Sequence, residues 1–122
     1  MTRKRTIRVR RVYDESAAGD GVRVLVDRLW PRGIRKGAID LDAWHKDVTP
    51  SAGLRAWFGH DPAKFAEFAS RYRAELDTDA GRAELERVGA LSGGRALTLL
   101  TATKDVEHSH AAVLAELLRQ LP

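Results

Sequence analysis

The fold this sequence predicts is α/β: a single compact domain over residues 1–122, with a small, mostly parallel sheet flanked by helices. Three observations predict it. A chain of 122 residues with 43% apolar content is enough for one modest core and too little for two domains. Two runs, Val22-Arg23-Val24-Leu25-Val26 and Ala96-Leu97-Thr98-Leu99-Leu100-Thr101, are nearly continuous in apolar and β-branched residues, as strands covered on both faces are. Segments of helical period lie between and after these runs, and that strand-to-helix order points to parallel pairing.

Taken in order, Ile7-Arg8-Val9-Arg10-Arg11-Val12-Tyr13 alternates imperfectly and reads as an edge strand with its arginines mostly on the wet face. A turn-rich stretch, Asp14 to Gly21, separates it from the interior strand at Val22–Val26. Between Ile34 and Pro50 the pattern is weak, and Ile39, Leu41 and Trp44 allow a short strand or an irregular return. Pro50-Ser51 opens a short helix with Leu54, Trp57 and Phe58 on one face and Gly59 as its stop. Asp61-Pro62 starts a longer helix carrying Phe65, Phe68, Ala69, Tyr72 and Leu76, with Tyr72 in the core and Arg71 and Glu75 spaced as a surface pair. Thr78 or Asp79 caps another helix, with Ala83, Leu85, Val88 and Leu91, which ends at Ser92-Gly93-Gly94. After the strand at Ala96–Thr101, a last helix carries Leu114, Leu117, Leu118 and Leu121, its first turn expected to include Glu107 to His110. The pattern contains no internal repeat and no low-complexity segment.

Composition removes several classes of mechanism. Without cysteine there is no disulfide, no Cys-ligated zinc and no thiolate nucleophile. The basic N-terminus is not followed by the apolar stretch of a signal peptide, because arginines interrupt Ile7, Val9 and Val12, and no apolar run approaches the ~20 residues that span a bilayer. A cytoplasmic protein with no membrane partner is therefore expected. The formal charge is +4, but residues 1–11 hold six Arg or Lys and no acid, leaving 15 basic against 17 acidic residues elsewhere. The excess belongs to a basic arm, with residues 1–5 as its free part, and such an arm can hold a phosphate backbone.

Chemistry is expected where the two central strands end, since open α/β sheets place ligands beyond the carboxyl ends of parallel strands. Asp27-Arg28 follows one strand and Thr101-Ala102-Thr103-Lys104-Asp105 the other, so the segments should be neighbours. Arg28, Arg32 and Lys36 surround Trp30 in a turn tightened by Pro31 and Gly33, a cluster suited to a phosphate or carboxylate. The plainer alternative pairs Asp27 with an arginine and uses Trp30 to cap the core. Lys104 and Asp105, followed by His108 and His110, could stabilise negative charge and orient a histidine as a base. His-x-His also suggests a metal, but residues two apart on a helix face different ways and no third ligand is evident, so neither metal nor cofactor is expected. Trp44, His45 and Lys46, then Ser51, Arg55, Trp57 and His60, form a third polar and aromatic stretch.

The segment Val24-Leu25-Val26-Asp27-Arg28-Leu29-Trp30-Pro31-Arg32-Gly33 resembles the signature of the YeaO-like family, a domain of unknown function in the DUF488 group. Trp44-His45-Lys46, Pro50-Ser51, Arg55-Trp57-Phe58 and Leu99 to Asp105 with His108 and His110 extend the resemblance from about Ile7 to Leu118. It implies the fold and the candidate positions but no substrate. Relatives in the wider superfamily carry cysteines near the junction that Thr101 to His110 would match; none stands here, so a thiol mechanism cannot transfer. Nor does the chain show a helix-turn-helix with a basic recognition helix.

The expectation is a small anionic ligand held by Arg28, Trp30, Arg32, Lys36, Trp44, Lys46, Ser51, Arg55 and Lys104. Asp27, Asp105, His108 and His110 are the candidates for proton transfer if the protein is a hydrolase or transferase. The alternative is a nucleic-acid-binding or regulatory module that uses the arm; a third is a structural or partner-binding domain without a ligand. Oligomeric state is not legible from the sequence.

Overall fold

The computed structural model of the chain describes residues 6–121, so the expected arm at residues 1–5 lies outside the described residues. The strands are β1 (Ile7–Arg11), β2 (Val22–Leu25), β3 (Ala43–Trp44) and β4 (Leu97–Thr101). The helices are α1 (Ala52–Phe58), α2 (Phe65–Leu76), α3 (Asp79–Ala90) and α4 (His110–Arg119), with 3-10 turns at Pro62–Lys64 and Val106–His108. The sheet runs β1-β4-β2-β3 and every pair is parallel. The two continuous apolar runs are therefore neighbours in the middle, with Val22 opposite Leu97 and Leu25 opposite Leu100, and the arginine-rich β1 is an edge.

Side chains alternate across a strand, and here the two faces carry different cores. Ile7, Val22, Val24, Val26, Leu97 and Leu99 face the helices, where Phe58, Phe68, Tyr72, Leu85, Val88, Leu114 and Leu118 close the main core. Val12, Leu25 and Leu100 face the other way, covered by Trp30, Ile34, Ile39 and Leu41 from the irregular segment between β2 and β3 and by Trp44 of β3. Helices thus cover one face, and most of the weakly patterned stretch serves as a lid for the other. Tyr72 is fully buried, as its place in the apolar stripe predicts, and its hydroxyl donates to the Val48 carbonyl.

Local chemistry sets most boundaries where the sequence places them. Ser51 caps α1 by accepting from the Leu54 N–H, and Thr78 caps α3 by accepting from Gly81. Gly21, at φ +65°, leads into β2 so close to β4 that a Cβ would collide with the Ala96 carbonyl. Three expectations are corrected. The chain from Asp61-Pro62 first forms a 3-10 turn, capped by the Asp61 carboxylate on Ala63, and becomes α-helical only at Phe65. Glu107 and His108 lie in a separate 3-10 turn, because Ser109 is extended (φ −115°, ψ 160°) and caps α4, which starts at His110. Arg71 pairs with Glu67 at 2.5 Å instead of Glu75, whose carboxylate accepts from the Ser51 N–H at 2.9 Å and hydroxyl at 2.6 Å.

At the amino end of β2 the second face is polar. Asp20 is buried, with Arg23, Arg10 and Arg8 converging on it; Arg10 lies at 3.4 Å and Arg8 at 3.9 Å. The Ala17 N–H donates to its carboxylate, and Thr98 donates to its carbonyl at 2.8 Å. Burial pushes the Asp20 carboxyl up, but the Ala17 N–H and the arginines outweigh it and hold the group below the ordinary carboxylate range.

Candidate functional site

Because β2 and β4 run in parallel register, both chains leave the sheet at the same edge. Asp27 and Ala102 meet there, and the Ala102 N–H donates to Asp27 Oδ2 at 2.7 Å. The Trp44 indole N–H donates to the Asp27 carbonyl at 2.7 Å, so β3 secures the same residue from the other side. The partner of the Asp27 side chain is not an arginine. It is His110, the first residue of α4, whose Nε2 stands 2.8 Å from the Val26 carbonyl and 3.3 Å from Asp27 Oδ1. A carbonyl can only accept, so Nε2 carries the proton and Nδ1 is left with the lone pair of the neutral ring. That proton is directed at Val26, which leaves Oδ1 buried and without a hydrogen bond, 3.3 Å from the ring nitrogen.

Burial pushes the Asp27 carboxyl up, yet His110, the Ala102 N–H and the Thr101 hydroxyl more than offset it, and the group is held below its ordinary value. Asp27 is therefore a carboxylate at neutral pH. It acts as an acceptor that ties β2, β4 and α4 together.

Above this junction opens a cavity of about 450 Å³. Asp27, Arg28, Trp30, Arg32, Arg55 and His110 all line it, so six of the sequence-derived candidates share one space. Its floor is apolar, from Phe58 and Phe68, and Tyr13 stands at its side with its hydroxyl donating to the Arg32 carbonyl at 3.1 Å. The Trp30 indole N–H donates to the Ile34 carbonyl at 2.6 Å, closing the turn that carries Arg32, and its ring meets Trp44 edge-on at 5.3 Å. Trp30 thus both covers the second core and lines the cavity.

The three arginines have one feature in common. Among the described residues no carboxylate lies within ion-pair distance of Arg28, Arg32 or Arg55, whereas Arg8, Arg10, Arg23, Arg71, Arg82, Arg87 and Arg119 each have one. Unpaired guanidinium groups around a concave, partly apolar space favour an anion, each able to donate two parallel hydrogen bonds.

The remaining candidates are placed elsewhere. Lys36 and Lys46 lie over the ring of Trp44, at 5.9 and 4.0 Å from its centroid, in the layer behind the cavity. Ser51 serves the cap of α1 and Glu75. Lys104 is exposed, and Asp105 and His108 pair with each other at 2.8 Å outside the cavity, the histidine ring resting edge-on against Phe65. His45 pairs with Glu84, and Trp57 lies under Arg71. Among the described residues no group of three or more His, Asp or Glu is arranged to hold a metal ion, and no helix is long and apolar enough to cross a membrane.

His60 also lines the cavity. Its backbone is left-handed at φ 57°, directly after Gly59 at φ 54°. A glycine adopts that region freely and a histidine does not, at a cost on the order of 1 kcal/mol. In the sequence His60 stands in the third polar and aromatic stretch, beside the helix-stopping glycine.

Comparisons with known proteins agree on one family. A family model described as the inactive DUF488-N3 subclade matches residues 6–121. The chain is 52% identical to the uncharacterized protein Rv3073c of Mycobacterium tuberculosis, over 97% of this chain and 98% of that one. It is 44% identical to the uncharacterized protein YeaO of Escherichia coli, over 94% of this chain and 98% of that one. No solved structure matches the chain.

Proposed function

Since the chain belongs to the YeaO-like DUF488 family, we propose that it binds a small anionic ligand at the carboxyl ends of β2 and β4. Arg28, Arg32 and Arg55 hold the anion. The observation that carries this reading is that, among the described residues, these three arginines line one cavity without an acidic partner; Arg8, Arg10, Arg23, Arg71, Arg82, Arg87 and Arg119 have one, and Arg11, Arg35, Arg73 and Arg95, which lack one too, do not line that cavity. Lys104, also expected to hold the anion, does not line the cavity.

The word inactive in the family description supports binding without turnover. Asp27 and His110 then hold the strand ends and the start of α4 in place. A hydrolase or transferase would need His110 Nδ1 to accept a proton; release of nitrophenolate from p-nitrophenyl phosphate, lost in His110→Asn, would establish that instead. The nucleic-acid alternative is weakened by Arg8 and Arg10, two of the six basic residues of the arm, which are engaged with Asp20. Deleting residues 1–5 and following salt-dependent DNA and RNA binding separates the two.

The test is thermal stability of the purified protein with inorganic phosphate and p-nitrophenyl phosphate, since a ligand that binds only the folded state raises the Tm. Arg32→Ala removes the shift and leaves the ligand-free Tm nearly unchanged. Binding that survives alongside a large loss of stability overturns the assignment.

A further inference from the structure

We propose that the ligand of this cavity is a phosphomonoester carried on a flat apolar ring; the inference rests on the anion-site reading above and narrows it. Volume is the first argument. At about 450 Å³ the cavity falls within the ~300–1,000 Å³ of sites that enclose whole organic molecules, far more space than a lone oxyanion fills. Charge is the second. Three arginines without acidic partners surround a space whose only lining carboxylate among the described residues, Asp27, already faces the Ala102 N–H and His110. A phosphomonoester carries about −1.5 to −2 at neutral pH and offers three strong acceptor oxygens, which matches three guanidinium forks better than the single charge and two oxygens of a carboxylate.

The third argument is apolar surface. Leu29 is 75% exposed and Tyr13 46% exposed, and both line the cavity together with Trp30, Phe58 and Phe68. Large apolar side chains left uncovered in a concave site mark a place that a partner covers. Phe58 and Phe68 are stacked at 4.2 Å and almost fully buried, so they form a rigid apolar floor, and the apolar surface free to meet a ligand is that of Tyr13 and Leu29. The phosphoryl group therefore lies against Arg28, Arg32 and Arg55, and the ring lies between the floor and the exposed Tyr13 and Leu29.

Calorimetric titration of the full chain with phenyl phosphate, inorganic phosphate and benzoate tests this. Phenyl phosphate binds at least about tenfold more tightly than either of the others, because burying one ring removes enough apolar area for such a factor. Leu29→Ala narrows the gap between phenyl phosphate and inorganic phosphate without changing the latter, and Tyr13→Ala narrows it relative to Tyr13→Phe, which loses the same hydroxyl but keeps the ring and the gap. Equal affinities for phenyl phosphate and inorganic phosphate overturn the ring and leave the anion site standing. Benzoate binding as tightly as phenyl phosphate overturns the phosphoryl group, a gap untouched by Tyr13→Ala and Leu29→Ala overturns the placement of the ring, and no binding by any of the three overturns both this inference and the reading beneath it.

Discussion

Two aspartates bracket the central strand β2, Asp20 before it and Asp27 after it, and their surroundings differ in a way that separates structure from function. Asp20 takes up three arginines and a backbone N–H and is 1% exposed, so each cation beside it has a carboxylate contact within the fold. Asp27 takes up one backbone N–H and one histidine, while the arginines near it, Arg28, Arg32 and Arg55, remain unpaired around an open cavity. Both carboxyls are held below the ordinary range, so a lowered pKa does not tell the two regions apart. The distinction lies in whether the neighbouring cations are satisfied. In a parallel sheet the carboxyl ends are where loops converge and ligands bind, and here that end keeps cations in reserve.

The largest expected effect lies at the closed end. Asp20→Ala leaves Arg23 buried without its counter-charge and destabilises the protein by about 3–5 kcal/mol, read by urea unfolding. A loss under 1 kcal/mol would show that the cluster is not closed. At the open end, Asp27→Asn keeps an acceptor for Ala102 but removes the charge facing His110, at a cost of about 1–2 kcal/mol. Because both folded carboxyls lie below their ordinary value of 3.8, their contribution is fully present above that value and is lost as pH falls through the lowered folded value. Melting temperatures of Asp20→Asn, Asp27→Asn and the parent should therefore be furthest apart near neutrality and converge below about pH 3.8. A gap that persists unchanged to lower pH contradicts the electrostatic account. The smallest effect is at His60: glycine there relieves the left-handed backbone, leaving stability unchanged or raised by up to about 1 kcal/mol, while phenyl phosphate binding weakens. A clear loss of stability would show that the His60 side chain serves the fold.

Much of this contrast was legible in the residues. The uninterrupted runs of β2 and β4 placed both strands inside a parallel sheet, and that placement alone brought Asp27 beside Ala102 and put Arg28 and Arg32 at the strand ends. Ser51 and Gly59 marked the ends of α1 by their capping chemistry. What escaped the sequence depends on contacts between distant segments. Arg23 reads as an interruption of an apolar strand, and only the fold brings Asp20, Arg8 and Arg10 to it. Phe58 and Phe68 have the spacing of ordinary core residues, and the same spacing serves a cavity floor. Lys104, Asp105 and His108 stand two to six residues before His110 in sequence, but the 3-10 turn at Val106–His108 and the extended Ser109 separate them from α4 and leave them outside the cavity. Glu75 was assigned to Arg71 by helical spacing, whereas Ser51, 24 residues earlier, holds it.

The central claim is that the unpaired arginines at the carboxyl end, and not the paired ones at the other, hold an anion. It is tested most directly by following arginine Nε–H and backbone amide NMR signals during a phosphate titration. The account predicts saturable shifts at Arg28, Arg32 and Arg55 and at the amides of Ala102 and Thr103, with Arg8, Arg10 and Arg23 unmoved. Shifts confined to residues 1–11, or to the arginines around Asp20, would contradict it.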